Sequence, residues 1–220
     1  MRFLISLAAL AGISSAHFQL KYPPTIGFED AKEDTGPCGG FTPDLSKSDL
    51  PDFHIGGDAV AVRLSHPQSK WLFRVTTDPS DEKKWEQIYP IVLQSGLGDF
   101  CLPQLTVPEK YAGKKGVLSI VSSAVDGLLY QCSSVNFVTG SKEKPKECTN
   151  ATLTASFSSD DALSAMVGSS SSGSNATTTS GGGSSTTASP AASPTKNAAA
   201  AVAAQLGSGL LAVLGGLLLI

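Results

Sequence analysis

The fold class this sequence predicts is an all-β, antiparallel sandwich of immunoglobulin or fibronectin type, stapled by two disulfides. Three observations predict it. In the central part of the chain, apolar residues recur mostly with a period of two. The alternating runs are short and punctuated by Pro and Gly. The same region holds all four cysteines, Cys38, Cys101, Cys132 and Cys148. Short alternating strands with frequent turn signals suit two packed sheets.

The elements follow in order. Residues 1–16 read as a signal peptide. Arg2 supplies a positive start, Phe3 to Ile13 a short apolar run, and Ser14-Ser15-Ala16 a small-residue cleavage site. The run is too short to span a bilayer. Residues 17–148 carry the cysteines, the aromatics and nearly all the charges, and read as one domain of ~130 residues. Within it, Val60, Val62, Leu64 and His66 share one face of a strand, while Ala59, Ala61, Arg63 and Ser65 share the other. Pro67-Gln68-Ser69 breaks that strand. Trp71, Phe73 and Val75 then alternate with Leu72, Arg74 and Thr76. The two runs are expected to pair as a hairpin. Residues 81–87 are polar and predict one helical turn. Trp71 falls on the inward face, whereas Trp85, among Lys83, Lys84 and Glu86, is expected to be exposed. Residues 88–95, 117–125 and 128–138 read as further strands, the last two joined by a tight turn at Asp126-Gly127.

Beyond residue 148 the composition changes. Residues 149–167 are transitional. From Gly168 to about Pro194 the chain is Ser, Thr, Gly, Ala and Pro, too poor in apolar surface to fold. Residues 149–197 therefore read as a glycosylated stalk, with N-glycosylation sequons at Asn150 and Asn175. Residues 198–220 combine a short spacer with an apolar run, Leu206 to Ile220, that carries no Lys or Arg. Small residues at 197–199, a spacer and a hydrophobic tail form the pattern of a GPI-anchor signal, with Asn197 as the expected attachment residue. The expected location is the outer face of the plasma membrane or the cell wall.

A formal charge of −3 without a basic patch predicts no nucleic-acid partner. No two cysteines have the C-x₂-C spacing of a zinc site, so two disulfides are expected. Three connectivities are open. The predicted one joins Cys101 to Cys132, stapling a loop-edge strand to the last hairpin, and Cys38 to Cys148, tying the two ends of the domain. The domain is expected to be a monomer.

The chemistry starts at the expected cleavage site, which would leave His17 as first residue. A free α-amine has a pKa near ~7.7–8.0 and can lose its proton near neutrality. The amine and the imidazole Nδ1 can then chelate one metal ion. A second imidazole would complete a three-nitrogen site, a histidine brace, of the tetragonal kind that suits Cu(II). The chain has three histidines, so the second ligand is His66 or His54. His66 ends a strand on the core-facing side and is favoured. His54 lies in a loop between Asp52 and Gly56-Gly57.

The blocks 17–24 (HFQLKYPP), 37–40 (PCGG), 65–67 (SHP), 96–103 (GLGDFCLP) and 126–132 (DGLLYQC) occur in an order that resembles fungal GPI-anchored copper-binding proteins. These share the fold of lytic polysaccharide monooxygenases and include copper acquisition factors. The resemblance spans residues 17–140. It implies a brace with an added aspartate near the metal, here Asp126, with Asp99 as the alternative, and one Cu(II) per chain. Pro67 stands where many relatives have a second histidine. The resemblance implies copper capture without oxidative catalysis, as a non-enzyme that delivers metal to a plasma-membrane copper transporter. Two other readings stand beside it, a monooxygenase acting on polysaccharide and a structural wall glycoprotein.

Overall fold

The computed structural model describes residues 17–168. The expected signal peptide, most of the stalk, Asn175, Asn197 and the apolar tail lie outside the described residues. Among the described residues no helix is long and apolar enough to cross a membrane.

Among the described residues, nine strands form two sheets. Strands β1 (Phe18–Tyr22), β3 (Asp58–Leu64) and β6 (Gly98–Leu105) make one, in the order β1-β3-β6. The other has the order β2-β8-β7-β4-β5-β9. It is built from β2 (Asp52–His54), β4 (Gln68–Thr76), β5 (Glu86–Ser95), β7 (Lys115–Ala124), β8 (Gly127–Val138) and β9 (Thr154–Phe157). The β2–β8 pair is parallel and the others are antiparallel. The protein is an all-β sandwich.

The period-two faces fall as the sequence predicts. Val60, Val62 and Leu64 of β3 meet Trp71, Phe73 and Val75 of β4 in one core with Phe18, Phe53, Phe100 and Phe137. The Phe18 ring packs edge-on against Trp71 at 5.1 Å between centroids. The buried Trp71 N–H donates to Gln94 Oε1 at 3.0 Å.

The expected β3–β4 hairpin is not formed. β3 pairs with β1 and β6, whereas β4 pairs with β5 and β7. Residues 65–67 lead from one sheet into the other, so the two apolar faces oppose each other across the core. Both ends of this connection are held, Ser65 by His17 and the Pro67 carbonyl by Gly96 N–H at 2.8 Å. The β7–β8 hairpin is formed, with Ala124 opposite Gly127. Its turn residues are Val125 and Asp126, one position earlier than the Asp-Gly reading has them. The polar stretch at 81–87 contains one 3₁₀ turn, Glu82–Lys84, whose first N–H groups are capped by Asp81.

The outer face of the six-stranded sheet is also buried. Along one side, the chain before β2 packs Cys38, Ile26 and Leu45 against Val117, Cys132 and Trp85. Trp85 is 1% exposed, against expectation. Lys83 and Lys84 beside it stay in solvent, while its indole turns under the Arg74 guanidinium, 4.3 Å from the ring centroid. Along the other side lie residues 158–168. The short helix α1 (Asp161–Ser164) is N-capped by Asp160, and it plants Leu163 on Leu72, Ile91 and Val121. With β9 paired to β5, the folded region continues through residue 168 instead of ending at 148.

The disulfides are Cys38–Cys132 and Cys101–Cys148, which overturns the predicted pairing. Cys101 packs on the outer face of the three-stranded sheet with Ala59, Ala61 and Cys148. Cys132 packs on the outer face of the six-stranded one with Cys38. Facing sheets lie about 10 Å apart. Two cysteines pointing away from each other across that gap cannot meet the short Cα separation a disulfide needs.

Candidate metal centre

The β1–β3 register sets Phe18 opposite Leu64, so His17 falls opposite Ser65. The two are tied three times. Ser65 N–H donates to the His17 carbonyl at 3.1 Å. The Ser65 hydroxyl donates to the same carbonyl at 2.6 Å. His17 N donates to Ser65 Oγ at 2.8 Å. The next residue is His66. The β4–β7 pairing, Lys70 with Ser123, brings the β7–β8 turn to the same end of the sandwich. That turn presents Asp126.

His66 is 4% exposed, and its Nε2 lies 2.9 and 3.0 Å from the two carboxylate oxygens of Asp126. The His17 ring is turned toward the loop before β2. Its Nε2 is 3.1 Å from the Asp30 carbonyl, and Phe28 meets it edge-on at 6.4 Å. Among the described residues no three His, Cys, Asp or Glu side chains gather into a cage. A brace asks for less than that, because a main-chain nitrogen supplies one of its donors.

The other two candidates lie elsewhere. His54 ends β2, and its Nδ1 is 3.1 Å from buried Asp58 at the start of β3. His66 follows the far end of β3, about 20 Å along the strand. Asp99 is paired with Lys21 at 2.9 Å and Arg63 at 3.2 Å on the outer face of the three-stranded sheet. The hydrogen bond from Lys21 is the main cause that holds its carboxyl below the usual range.

Sequence reasoning missed the clamp that holds β1. The Gln131 side chain on β8 donates to the Phe18 carbonyl and, at 2.8 Å, to Glu33 Oε1, while its own Oε1 accepts from Leu20 N–H at 3.0 Å. Glu33 Oε1 also accepts from Phe18 N–H at 3.3 Å. Edge strand β1 is thereby fastened to the second sheet by side chains, one residue beyond His17. Glu33 is 1% exposed, and its Oε2 has no hydrogen-bond partner. Burial pushes its carboxyl up to about 7, against the pull of the Gln131 and Phe18 hydrogen bonds and the nearby His17. Residues 29–34 show no apolar period in the sequence, so Glu33 carries no signal of burial there. Gln131 stands in the Tyr130-Gln131-Cys132 block, which was the available hint.

The copper acquisition factor BIM1-like domain matches residues 15–153. An uncharacterized protein of Aspergillus fumigatus is 31% identical over 156 residues, covering 66% of this chain and 64% of that protein. A Yarrowia lipolytica protein named lytic polysaccharide monooxygenase-like is 31% identical over 139 residues, covering 58% of this chain and 51% of that one. The chain thus spans between half and two thirds of the length of these curated relatives. The domain match covers well over half of the sequence, and with it the chain belongs to the copper acquisition factor BIM1-like family.

Proposed function

We propose that the chain captures one Cu(II) outside the cell in a histidine brace and holds it without oxidative catalysis. Cleavage after Ala16 would turn the His17 nitrogen, an amide in the uncleaved chain, into the chelating amine. Ser65 already fixes the main chain on which that nitrogen sits. His17 would supply the amine and Nδ1, His66 its Nε2, and Asp126 a carboxylate oxygen.

The observation that carries the reading is the contact between His66 Nε2 and Asp126 at 2.9 Å. Donors about 2.0–2.1 Å from a first-row metal, set at right angles, lie about 2.9 Å apart. The pair, joined here by a hydrogen bond, has a spacing that would also suit neighbouring ligands of one ion, which supports the reading. Asp126 would place a carboxylate beside the metal, where an oxygenase would keep room for its co-substrate. This favours holding the metal over activating oxygen. Attachment through Asn197 to a GPI anchor would keep the protein beside a membrane copper transporter.

The test is a copper titration of protein whose terminus is shown by mass spectrometry to be His17, read by electron paramagnetic resonance. One Cu(II) per chain with a nitrogen-rich spectrum is expected. His66→Ala should weaken binding by more than about a hundredfold, beyond what outer-shell changes cost. One extra residue before His17 should do the same. A mature terminus elsewhere would sink the proposal. Release of oxidised oligosaccharides from chitin, glucan or cellulose with a reductant would favour the monooxygenase reading instead.

A further inference from the structure

A cleft opens on the outer face of the six-stranded sheet, between the two segments that cover it. Gly36 and Pro37 form one wall, and Ala165 and Met166 the other. Arg74 and Tyr130 line it from the sheet, with Trp85 and Glu82 alongside. Its volume is about 290 Å³. That lies at the lower end for ligand sites, so it suits a small molecule.

Arg74 is the unusual residue here. It is 4% exposed, and among the described residues no carboxylate lies within ion-pair distance of it. A guanidinium has five N–H donors in a fixed fork. Two are accounted for, Nε on Ser119 Oγ at 3.3 Å and Nη1 on the Met166 carbonyl at 2.9 Å. Burial lowers its pKa to about 10, so it remains a cation at neutral pH. Glu82 of the same cleft acts on it only through space, without a direct ion pair. A buried charge not directly paired is costly, and a cleft beside it lets an anion supply the contact. The Trp85 indole N–H, also in the cleft lining, is buried without an acceptor. The unused Arg74 N–H groups and the Trp85 N–H are all donors, which suits an anionic oxygen. Glu82 adds the opposite requirement. It is exposed, lines the same cleft, and makes no hydrogen bond to a described residue. An anion seated on Arg74 would sit near this carboxylate unless it carried a donor of its own.

We propose that this cleft binds a small carboxylate bearing its own hydrogen-bond donor, a hydroxy acid or an amino acid. The carboxylate pairs with Arg74 in fork geometry, and the hydroxyl or ammonium donates to Glu82. The alternative role for Arg74 is to hold residues 165–168 on the sheet and nothing more.

Tryptophan fluorescence tests this directly, because the chain has two tryptophans and Trp71 is sealed in the core. The protein is titrated at constant ionic strength with lactate, alanine and acetate. A saturable change is expected for lactate or alanine, and which of the two binds tells hydroxyl from ammonium. Acetate should bind about tenfold more weakly, because it lacks the hydrogen bond to a charged partner. Glu82→Gln should shrink that advantage, weakening the donor-bearing acids relative to acetate, and its exposure keeps the fold intact. Arg74→Met should abolish the response to all three. No saturable change with any ligand, or equal binding of acetate and the donor-bearing acids, overturns the proposal. A stable, non-binding parent protein with an unfolded Arg74→Met would assign Arg74 the holding role alone.

Discussion

At the scale of residues, the meeting of His66 with Asp126 ties chemistry to position. The imidazole is buried and the carboxylate half reaches solvent, so replacing the acid disturbs little packing. Asp126→Asn should keep most of the copper affinity and shift the paramagnetic resonance parameters, since the charge of one oxygen donor is lost. His54→Ala should leave both affinity and spectrum unchanged, because its partner Asp58 lies at the opposite end of β3. Loss of copper in His54→Ala alone would refute the assignment. Glu33 offers a second residue-level prediction. Its folded pKa is raised from 4.5 to about 7. The folded state therefore binds this proton more tightly than the unfolded chain does. The stability it contributes is complete below pH about 4.5 and is lost as pH rises through about 7. In metal-free protein, Glu33→Gln should flatten the fall in Tm across that window, measured by thermal denaturation at a series of pH values. His17 and His66 stood out in the sequence through an expected cleavage site and a strand end, and Asp126 through the block 126–132 that carries the family resemblance. Glu33 did not, since burial is a property of the surroundings of a side chain and the run 29–34 gives no period from which to infer it.

At the scale of elements, alternation revealed which residues face inward but not which strands are neighbours. Val60, Val62 and Leu64 would look the same in sequence whether β3 paired with β4 or faced it across the core. The difference lies in long-range partners, β1 and β6 on one side and β5 and β7 on the other. β1 and β6 were harder still to read, for β1 is five residues long and β6 is interrupted by Pro103. The hairpin at Val125-Asp126 was legible because its signal is local. The disulfides belong to this scale as well. Each joins a strand to a segment that covers the outside of a sheet, Cys38 to β8 and Cys148 to β6. Replacing Cys101 and Cys148 together with Ala should lower stability by about 2–4 kcal/mol in denaturant unfolding. Non-reducing peptide mapping of the parent should yield Cys38–Cys132 and Cys101–Cys148 peptides, and a Cys101–Cys132 peptide would contradict the fold. The Cys101–Cys148 link also sits beside the first sequon, where the Asn150 side-chain oxygen accepts from Cys101 N–H at 2.8 Å. The amide nitrogen on the other arm of that side chain is the atom to which a glycan would attach.

At the scale of the whole molecule, composition marked out the folded region well at its start and less well at its end. The cysteines and nearly all the charges stop near residue 148, yet apolar Leu163 and the pairing of β9 keep the chain on the sandwich for another twenty residues or so. A four-residue strand and a one-turn helix are too short for a periodic signal, and Ser-rich surroundings hide them. That last stretch has a consequence for solubility. β9 lies against Val92–Ser95 of β5 and pairs with the edge of the larger sheet there. It is short and wholly exposed, a poor template for further pairing. A chain ended at residue 148 would lose it, and with it the cover over Leu72, Ile91 and Val121. Residues Val92–Ser95 of β5 would then become an open rim beside a bare apolar strip. Light scattering should find such a chain self-associating at concentrations where one ended at residue 168 stays monomeric. By this account β9 and α1 act as a gatekeeper against aggregation, keeping the sandwich from stacking edge to edge with its own copies.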